Sequence, residues 1–258
     1  MAKSNIIKEL ATDACDIDTA LNRLYLIATS INDIELSTWA KKELSGYKET
    51  DEVPNYRVVS THLVGNFNVV GAGKIWTYTK AELPCVNSEI LDKFKKRNLY
   101  LSVKALSMAI KNDNAILIPL DMRLIPFLEE GTTISISAAY QEITNPTLQD
   151  TVQTIKNRLL DSLIYLENQF GCLDELDIDI SQYKIDLIQK VYDDCAKIVL
   201  QGISVTNIVD SKISKSNLGR GNRQEKTTTV EIDPQITIEK KESDGWFSKI
   251  KKIFSRKK

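Results

Sequence analysis

The chain has 258 residues, of which 42% are hydrophobic and 27% charged, a size that suits one globular domain with additional segments or two small domains. One histidine, His62, excludes sites that need two imidazoles, and the four cysteines stand alone without metal-ligand spacing, so we expect no bound metal and no cofactor. The net charge of −1 provides no overall field to attract nucleic acid, which we do not expect as a partner.

Three short helices are predicted at the N-terminus. Apolar residues recur at three- and four-residue spacing within 4–14, 18–30 and 34–44, which is typical of amphipathic helices. Gly46 follows the third helix at a position where glycine often ends a helix. Together these helices predict a small N-terminal bundle.

Strands and helices are predicted to alternate through the middle of the chain, because β-branched and aromatic residues concentrate in short runs bounded by Gly and Pro. The predicted strands cover 56–70, 74–81, 115–120 (a buried strand) and 132–143. The predicted helices cover 88–96, 102–110, 121–130, a long helix ending at Gly171, and 181–200. The pattern predicts an α+β fold, with the three-helix bundle packed on a small, mostly antiparallel sheet with further helices, followed by a long helix pair.

The composition changes after the last of these helices. Residues 210–244 are polar and poor in large apolar side chains, which predicts a flexible linker. Within it, 227–239 alternates well enough to add a strand to another sheet. We therefore expect an α+β domain over 1–171, a helical extension over 172–209, the linker over 210–244 and a short basic helix over 245–258.

The basic helix predicted over 245–258 has two faces. Residues 246–258 hold six cations and no acid, so the rest of the chain carries a net charge of −7. On a helical wheel, one arc holds Trp246, Phe247, Ile250, Ile253 and Phe254, and the remainder holds Lys249, Lys251, Lys252 and Arg256. This pattern is typical of a helix that lies on an anionic membrane surface. Docking into a groove of a partner or of the chain itself, or a solubilising role, would fit the same residues.

One stretch is more distinctive than the others, and we call it the Trp39–Arg57 motif. Its residues are Trp39, Glu43, Leu44, Gly46, Tyr47, Val53, Pro54, Tyr56 and Arg57. These residues and their spacing, with the helical pattern before them, resemble the AbiTii domain family of bacterial abortive-infection proteins over roughly residues 4–170. The resemblance implies a role in defence against bacteriophage and carries over no catalytic residue.

The motif has two interpretations. In the first, Trp39 and Tyr47 fill the joint between the bundle and the sheet, Gly46 supplies a left-handed turn, and Glu43 pairs with Arg57, which begins the first strand. In the second, the charged residues form a pocket for a small ligand such as a nucleotide. That pocket would consist of Glu43, Asp51, Glu52 and Arg57.

The resemblance and the predicted basic helix together favour one hypothesis. The chain would be a defence component without catalysis of its own, located in the cytoplasm and bound peripherally to the inner face of the cell membrane. We expect it to associate with itself, through 227–239 or 181–200, and with another defence protein. The alternative is a nucleotide-responsive or enzymatic effector with its site around Glu43, Tyr47, Tyr56 and Arg57.

Overall fold

A computed structural model describes residues 3–84 and 88–208. The predicted linker over 210–244, its candidate strand over 227–239 and the predicted basic helix over 245–258 lie outside the described residues. Within the described ranges, no helix combines the length and the apolar character needed to span a bilayer.

Three helices begin the fold, as the apolar spacing predicts. They are α1 (Asn5–Ala11), α2 (Ile17–Ser30) and α3 (Ile34–Ser45). Asp33 caps α3 by accepting a hydrogen bond from the N–H of Leu36 (3.0 Å). Helix α3 ends at Gly46, whose φ of 85° is in the left-handed region that glycine adopts without strain.

Strands and five further helices follow within the described residues. The strands are β1 (Val58–Ser60), β2 (His62–Gly71), β3 (Lys74–Glu82), β4 (Lys96–Asn98), β5 (Ile116–Pro119) and β6 (Ile134–Ile143). The helices are α4 (Ser88–Lys93), α5 (Val103–Lys111), α6 (Ile125–Glu129), α7 (Asn145–Phe170) and α8 (Ile185–Ala196). The predicted mixed fold, with N-terminal helices followed by a sheet, is confirmed.

The main sheet is antiparallel throughout, with the strands in the order β3, β2, β6 and β5. Strands β2 and β3 form a hairpin, and positive φ angles at Ala72 (48°) and Gly73 (71°) identify a type I′ turn. Strands β1 and β4 pair with each other as a separate two-stranded sheet. One face of the main sheet packs on α6 through Phe67, Leu128 and Ile136.

Several predicted boundaries are wrong for tertiary reasons. Tyr56 and Arg57 do not begin a strand but lie in a 3-10 turn (Asn55–Arg57), in which the N–H of Arg57 donates to the C=O of Pro54 (2.8 Å) while its side chain bonds inward to Glu43. The helix predicted over 88–96 ends at Lys93, and the next residues pair as β4 with β1. The strand predicted as buried over 115–120 lies at the sheet edge and is half exposed.

The two last helices complete a helical core with α1, α2 and α3. Helix α7 buries a stripe that includes Leu159 and Leu163, and α8 adds Val191 and Cys195. The helix predicted over 181–200 is shorter than expected, since α8 is followed by a π-helical turn, Lys197–Gln201. Each fully buried Leu or Ile side chain contributes about 1.5–3 kcal/mol, so this shared core accounts for much of the stability of the helical part.

Candidate functional site

The Trp39–Arg57 motif begins on the buried face of α3. Trp39 and Glu43 lie one helical turn apart, so their side chains point to the same side, and both are buried. After Gly46 the chain turns, and the N–H of Tyr47 donates to the C=O of Tyr100 (2.8 Å). A Cβ at Gly46 would lie 2.7 Å from that carbonyl oxygen, so only glycine allows this close approach.

A buried ion pair joins α3 to the turn Asn55–Arg57. The Arg57 guanidinium donates from Nε to Glu43 Oε1 (3.1 Å) and from Nη2 to Glu43 Oε2. Its Nη1 donates to the carbonyls of Leu99 (3.0 Å) and Leu101 (2.7 Å). Both charged side chains are 0% exposed. Burial acts to lower the pKa of Arg57, but the hydrogen bond and charge of Glu43 outweigh it and raise that pKa, so the guanidinium keeps its charge.

Two tyrosine hydroxyls donate to the same carboxylate. Tyr47 Oη lies 2.7 Å and Tyr56 Oη 2.6 Å from Glu43 Oε1. Tyr56 Oη in turn accepts a hydrogen bond from Trp39 Nε1 (2.8 Å). Burial and the negative charge of Glu43 raise the pKa of both tyrosines, so each remains protonated and able to donate. Four of the motif's residues, Trp39, Tyr47, Tyr56 and Arg57, thus converge on Glu43 directly or through Tyr56.

A second arginine extends this network to α7. The guanidinium carbon of Arg158 lies 4.2 Å from the centroid of the Tyr56 ring, a cation–π contact. Arg158 also donates from Nη1 to the carbonyl of Val199, in the turn after α8. Burial lowers the pKa of Arg158, although a guanidinium still stays charged at neutral pH. The network therefore connects α3, the turn at 55–57, α7 and the turn after α8.

The sequence indicated the ion pair but not Arg158. That arginine is half-buried at the edge of the apolar stripe of α7, next to Ile155 and Leu159, both of which are fully buried. A cation within a buried helical stripe needs a partner, and that requirement was the signal available in the sequence. The identity of the partner, the ring of Tyr56, depends on how α7 crosses the motif.

The outer side of the motif faces an open groove of about 450 Å³. The motif residues that line it are Trp39, Tyr47, Val53 and Pro54. Leu44, by contrast, packs against the helical core. Ile34 and Leu200 line the same groove and are 78% and 45% exposed. A molecule in the groove would contact Trp39 and Tyr47 but would not reach the buried Glu43 and Arg57.

The four charged residues of the ligand-pocket interpretation are divided between this buried network and the surface. Glu43 and Arg57 are buried against each other. Asp51 accepts a hydrogen bond from the N–H of Lys48 (2.8 Å) and pairs with Lys42 (3.2 Å). Glu52 is exposed beside the groove. Among the described residues, no group of three or more His, Cys, Asp or Glu side chains is placed to hold a metal ion. Trp246, Phe247 and the other residues of the predicted basic helix lie outside the described ranges.

The fold and the site define a class of protein. It is a mixed helix-and-sheet domain in which the most distinctive polar residues form hydrogen bonds with one another in the interior. The family model of AbiTii matches residues 4–192, which include the whole Trp39–Arg57 motif and part of α8. The chain belongs to the AbiTii family, and membership implies a role in abortive-infection defence against phage. No curated protein and no solved structure matches the chain.

Proposed function

We propose that this chain is a non-catalytic component of phage defence that acts by protein association, and that residues 245–258 bring it to an anionic membrane surface. The observation that carries the proposal is the buried state of the Trp39–Arg57 motif. Every side-chain oxygen of Glu43 and every side-chain nitrogen of Arg57 makes at least one hydrogen bond, to the other residue or to a neighbouring group. Residues that act on a substrate must contact it, and Glu43 and Arg57 are 0% exposed.

The proposed membrane contact is supported by the charge distribution of the chain. The six cations within 246–258 would each contribute about 1 kcal/mol at an anionic surface. The apolar arc of Trp246, Phe247 and Ile250 would insert only partly, as in other interfacial helices. A single segment of this kind binds weakly and reversibly, whereas several segments on one assembly bind firmly by avidity.

Co-sedimentation of the full chain with vesicles tests the membrane contact. We expect binding to vesicles that contain phosphatidylglycerol and little binding to phosphatidylcholine vesicles. The double substitution Lys251→Glu with Lys252→Glu should abolish it, and Ile250→Ser should weaken it. The matched control is Lys240→Glu with Lys241→Glu, which changes the charge equally but lies outside 245–258. Equal binding by all variants would contradict the membrane contact.

A plaque assay separates the membrane from a protein partner. If the Lys251 and Lys252 substitutions abolish protection in cells while the wild-type chain never binds vesicles, the basic segment docks on a protein instead. If they abolish both, the membrane is the site of action. Protection that persists in both double variants would exclude any role of the basic segment.

The groove supports a second candidate, a ligand-responsive role. Its volume of about 450 Å³ and its aromatic lining suit a small molecule, and it lies directly beside the motif. Thermal-shift measurement against a nucleotide panel tests this role. The control variant is Thr38→Lys, because Thr38 lines the groove and a lysine there would fill it. A shift that disappears in Thr38→Lys would favour this candidate.

A further inference from the structure

Strand β3 is an exposed edge of the main sheet. Among the described residues it pairs only with β2. The N–H and C=O groups of every second residue point away from β2, and no described strand forms hydrogen bonds with them. Seven consecutive residues, 74–80, are exposed. The segment 74–79 carries one charge and no proline. Such a segment is a template for pairing with another strand.

The opposite edge of the same sheet is protected. Strand β5 has four residues and ends in Pro119, which has no N–H to donate. Strand β3 has nine residues, and its register with β2 is unbroken from Lys74 to Tyr78. The irregularity follows, where the N–H of Lys80 bonds to the side chain of Asn66 (2.8 Å). The protection that natural sheets usually give to edge strands is therefore present at one edge and missing along most of the other.

The side chains of β3 add an apolar surface to this open edge. Ile75 is 68% exposed, and Trp76 and Tyr78 are each 44% exposed. Tyr78 stacks on Phe67 of β2 with ring centroids 5.0 Å apart, so the aromatic row continues from the sheet core to the edge. Exposed aromatic residues beside free backbone groups are what a strand-pairing interface requires.

The turn determines which backbone groups face outward. In a two-residue hairpin, the residues flanking the turn, here Gly71 and Lys74, form a hydrogen-bonded pair. Alternation along the strand then directs the N–H and C=O groups of Ile75, Thr77 and Thr79 away from β2. Thr77 is the middle one of these three residues.

We propose that β3 pairs in antiparallel fashion with β3 of a second copy of this chain, with the two-fold axis at Thr77. In this register Ile75 of each copy lies opposite Thr79 of the other, and Trp76 of each copy lies opposite Tyr78 of the other. Opposite residues share a face, so the two aromatic pairs extend the row that begins at Phe67. The four-stranded sheets of two copies would then form one continuous sheet.

A second copy fits this edge better than the chain's own segment 227–239. The segment contains Pro234, which would interrupt the ladder near its middle.

The two-fold register places Lys74 of each copy near Lys80 of the other, and Lys80 already pairs with Glu142 (3.3 Å), which reduces the repulsion. The interface is small, so the dimer should depend on concentration. This inference deepens the association part of the proposed function and rests on it, while requiring nothing of the membrane contact.

Sedimentation velocity of the full chain without lipid tests the pairing. We expect the wild-type chain to change from monomer to dimer between about 1 and 100 µM, the range of small interfaces. Thr77→Lys and Thr77→Glu should each raise the dissociation constant about fivefold or more, because like charges meet at the two-fold axis. An equimolar mixture of the two variants should restore dimerisation, since Lys then faces Glu. The same changes at Thr50, an exposed residue in a turn outside the sheet, should have no effect.

Three other outcomes would contradict the proposed pairing. A chain that is monomeric throughout this range, a dimer that neither Thr77 variant weakens, or a mixture that gives no recovery would each do so. Trp76→Ser, which removes both aromatic pairs, should raise the dissociation constant about tenfold, and no change would likewise contradict the proposal. If pairing fails while vesicle binding and phage protection persist, the proposed function stands without this interface.

Discussion

The Trp39–Arg57 motif and strand β3 distribute polar and apolar groups in opposite ways. The motif places a carboxylate and a guanidinium in the interior, where every oxygen and nitrogen of the two groups makes a hydrogen bond and both side chains are 0% exposed. Strand β3 places Ile75, Trp76 and Tyr78 at the surface, beside backbone groups that no described strand satisfies. Both arrangements depart from the usual rule of apolar groups inside and charged groups outside.

The difference separates residues that maintain the fold from residues that are available for contact. Buried charges are tolerated only when every bond is made, so substitutions in the motif should damage stability first. Exposed apolar side chains contribute little to the stability of one copy, and they become useful when another surface covers them. The predictions below test this separation.

The largest loss of stability is expected from Arg57→Met or Glu43→Met alone. Each leaves the other charge buried without its partner, at a cost of about 3–5 kcal/mol. The double variant removes both charges and should lose much less than the sum of the two. Urea unfolding of the four proteins measures this coupling. Additive losses would show that the pair contributes no interaction of its own.

A smaller loss is expected from Gly46→Ala. The new Cβ would lie 2.7 Å from the backbone oxygen of Tyr100, in a left-handed conformation, at a cost of about 2–3 kcal/mol. Gly73→Ala is the matched control in the β3 hairpin. Its φ is also positive (71°), but no atom lies within 4 Å of the new Cβ, so only about 1 kcal/mol of strain is expected. Melting temperatures compare the two, and equal losses would contradict a close approach at Gly46.

A pH dependence is expected from Asp33, the cap of α3. Burial raises its pKa to about 6, and its Oδ2 has no hydrogen-bond partner among the described residues. Because the folded pKa exceeds the unfolded value of 3.8, the contribution of this group to stability is full below pH 4 and is lost as the pH rises through 6. Asp33→Asn should remove about 1–2 kcal/mol of this pH dependence between pH 4 and 7.

Urea unfolding at several pH values provides the measurement for Asp33. Glu35→Gln, the exposed neighbouring acid, is the control and should keep the wild-type profile. If the profile of Asp33→Asn also stays unchanged, the pH dependence arises from another group.

The smallest change in stability is expected from a substitution in the exposed edge strand β3. Ile75→Thr replaces a side chain that is 68% exposed with another β-branched residue, so stability should change by about 0.5 kcal/mol or less. Chemical unfolding at low protein concentration, where the chain is monomeric, measures this. A loss as large as that of Gly46→Ala would mean that β3 is packed against something within a single copy.

Local spacing determined most of the helices and the β2–β3 hairpin. The stripes of α2, α3 and α7 and the turn at Ala72 and Gly73 are consequences of side-chain periodicity and of the φ angles that glycine permits. The sequence also indicated that Glu43 and Arg57 form a pair, because Glu43 lies near the end of a predicted helix and Arg57 begins the segment that follows the polar turn at 50–54.

Tertiary structure decided the rest. Helix α4 stops at Lys93 and β4 begins at Lys96 because β1 offers a partner, and Arg57 lies in a turn because its side chain is bonded inward. Arg158 meets Tyr56 only because α7 crosses the motif. Periodicity along the chain reports which face of an element is apolar, but which element covers that face, or leaves it open as at β3, depends on residues far away in the sequence.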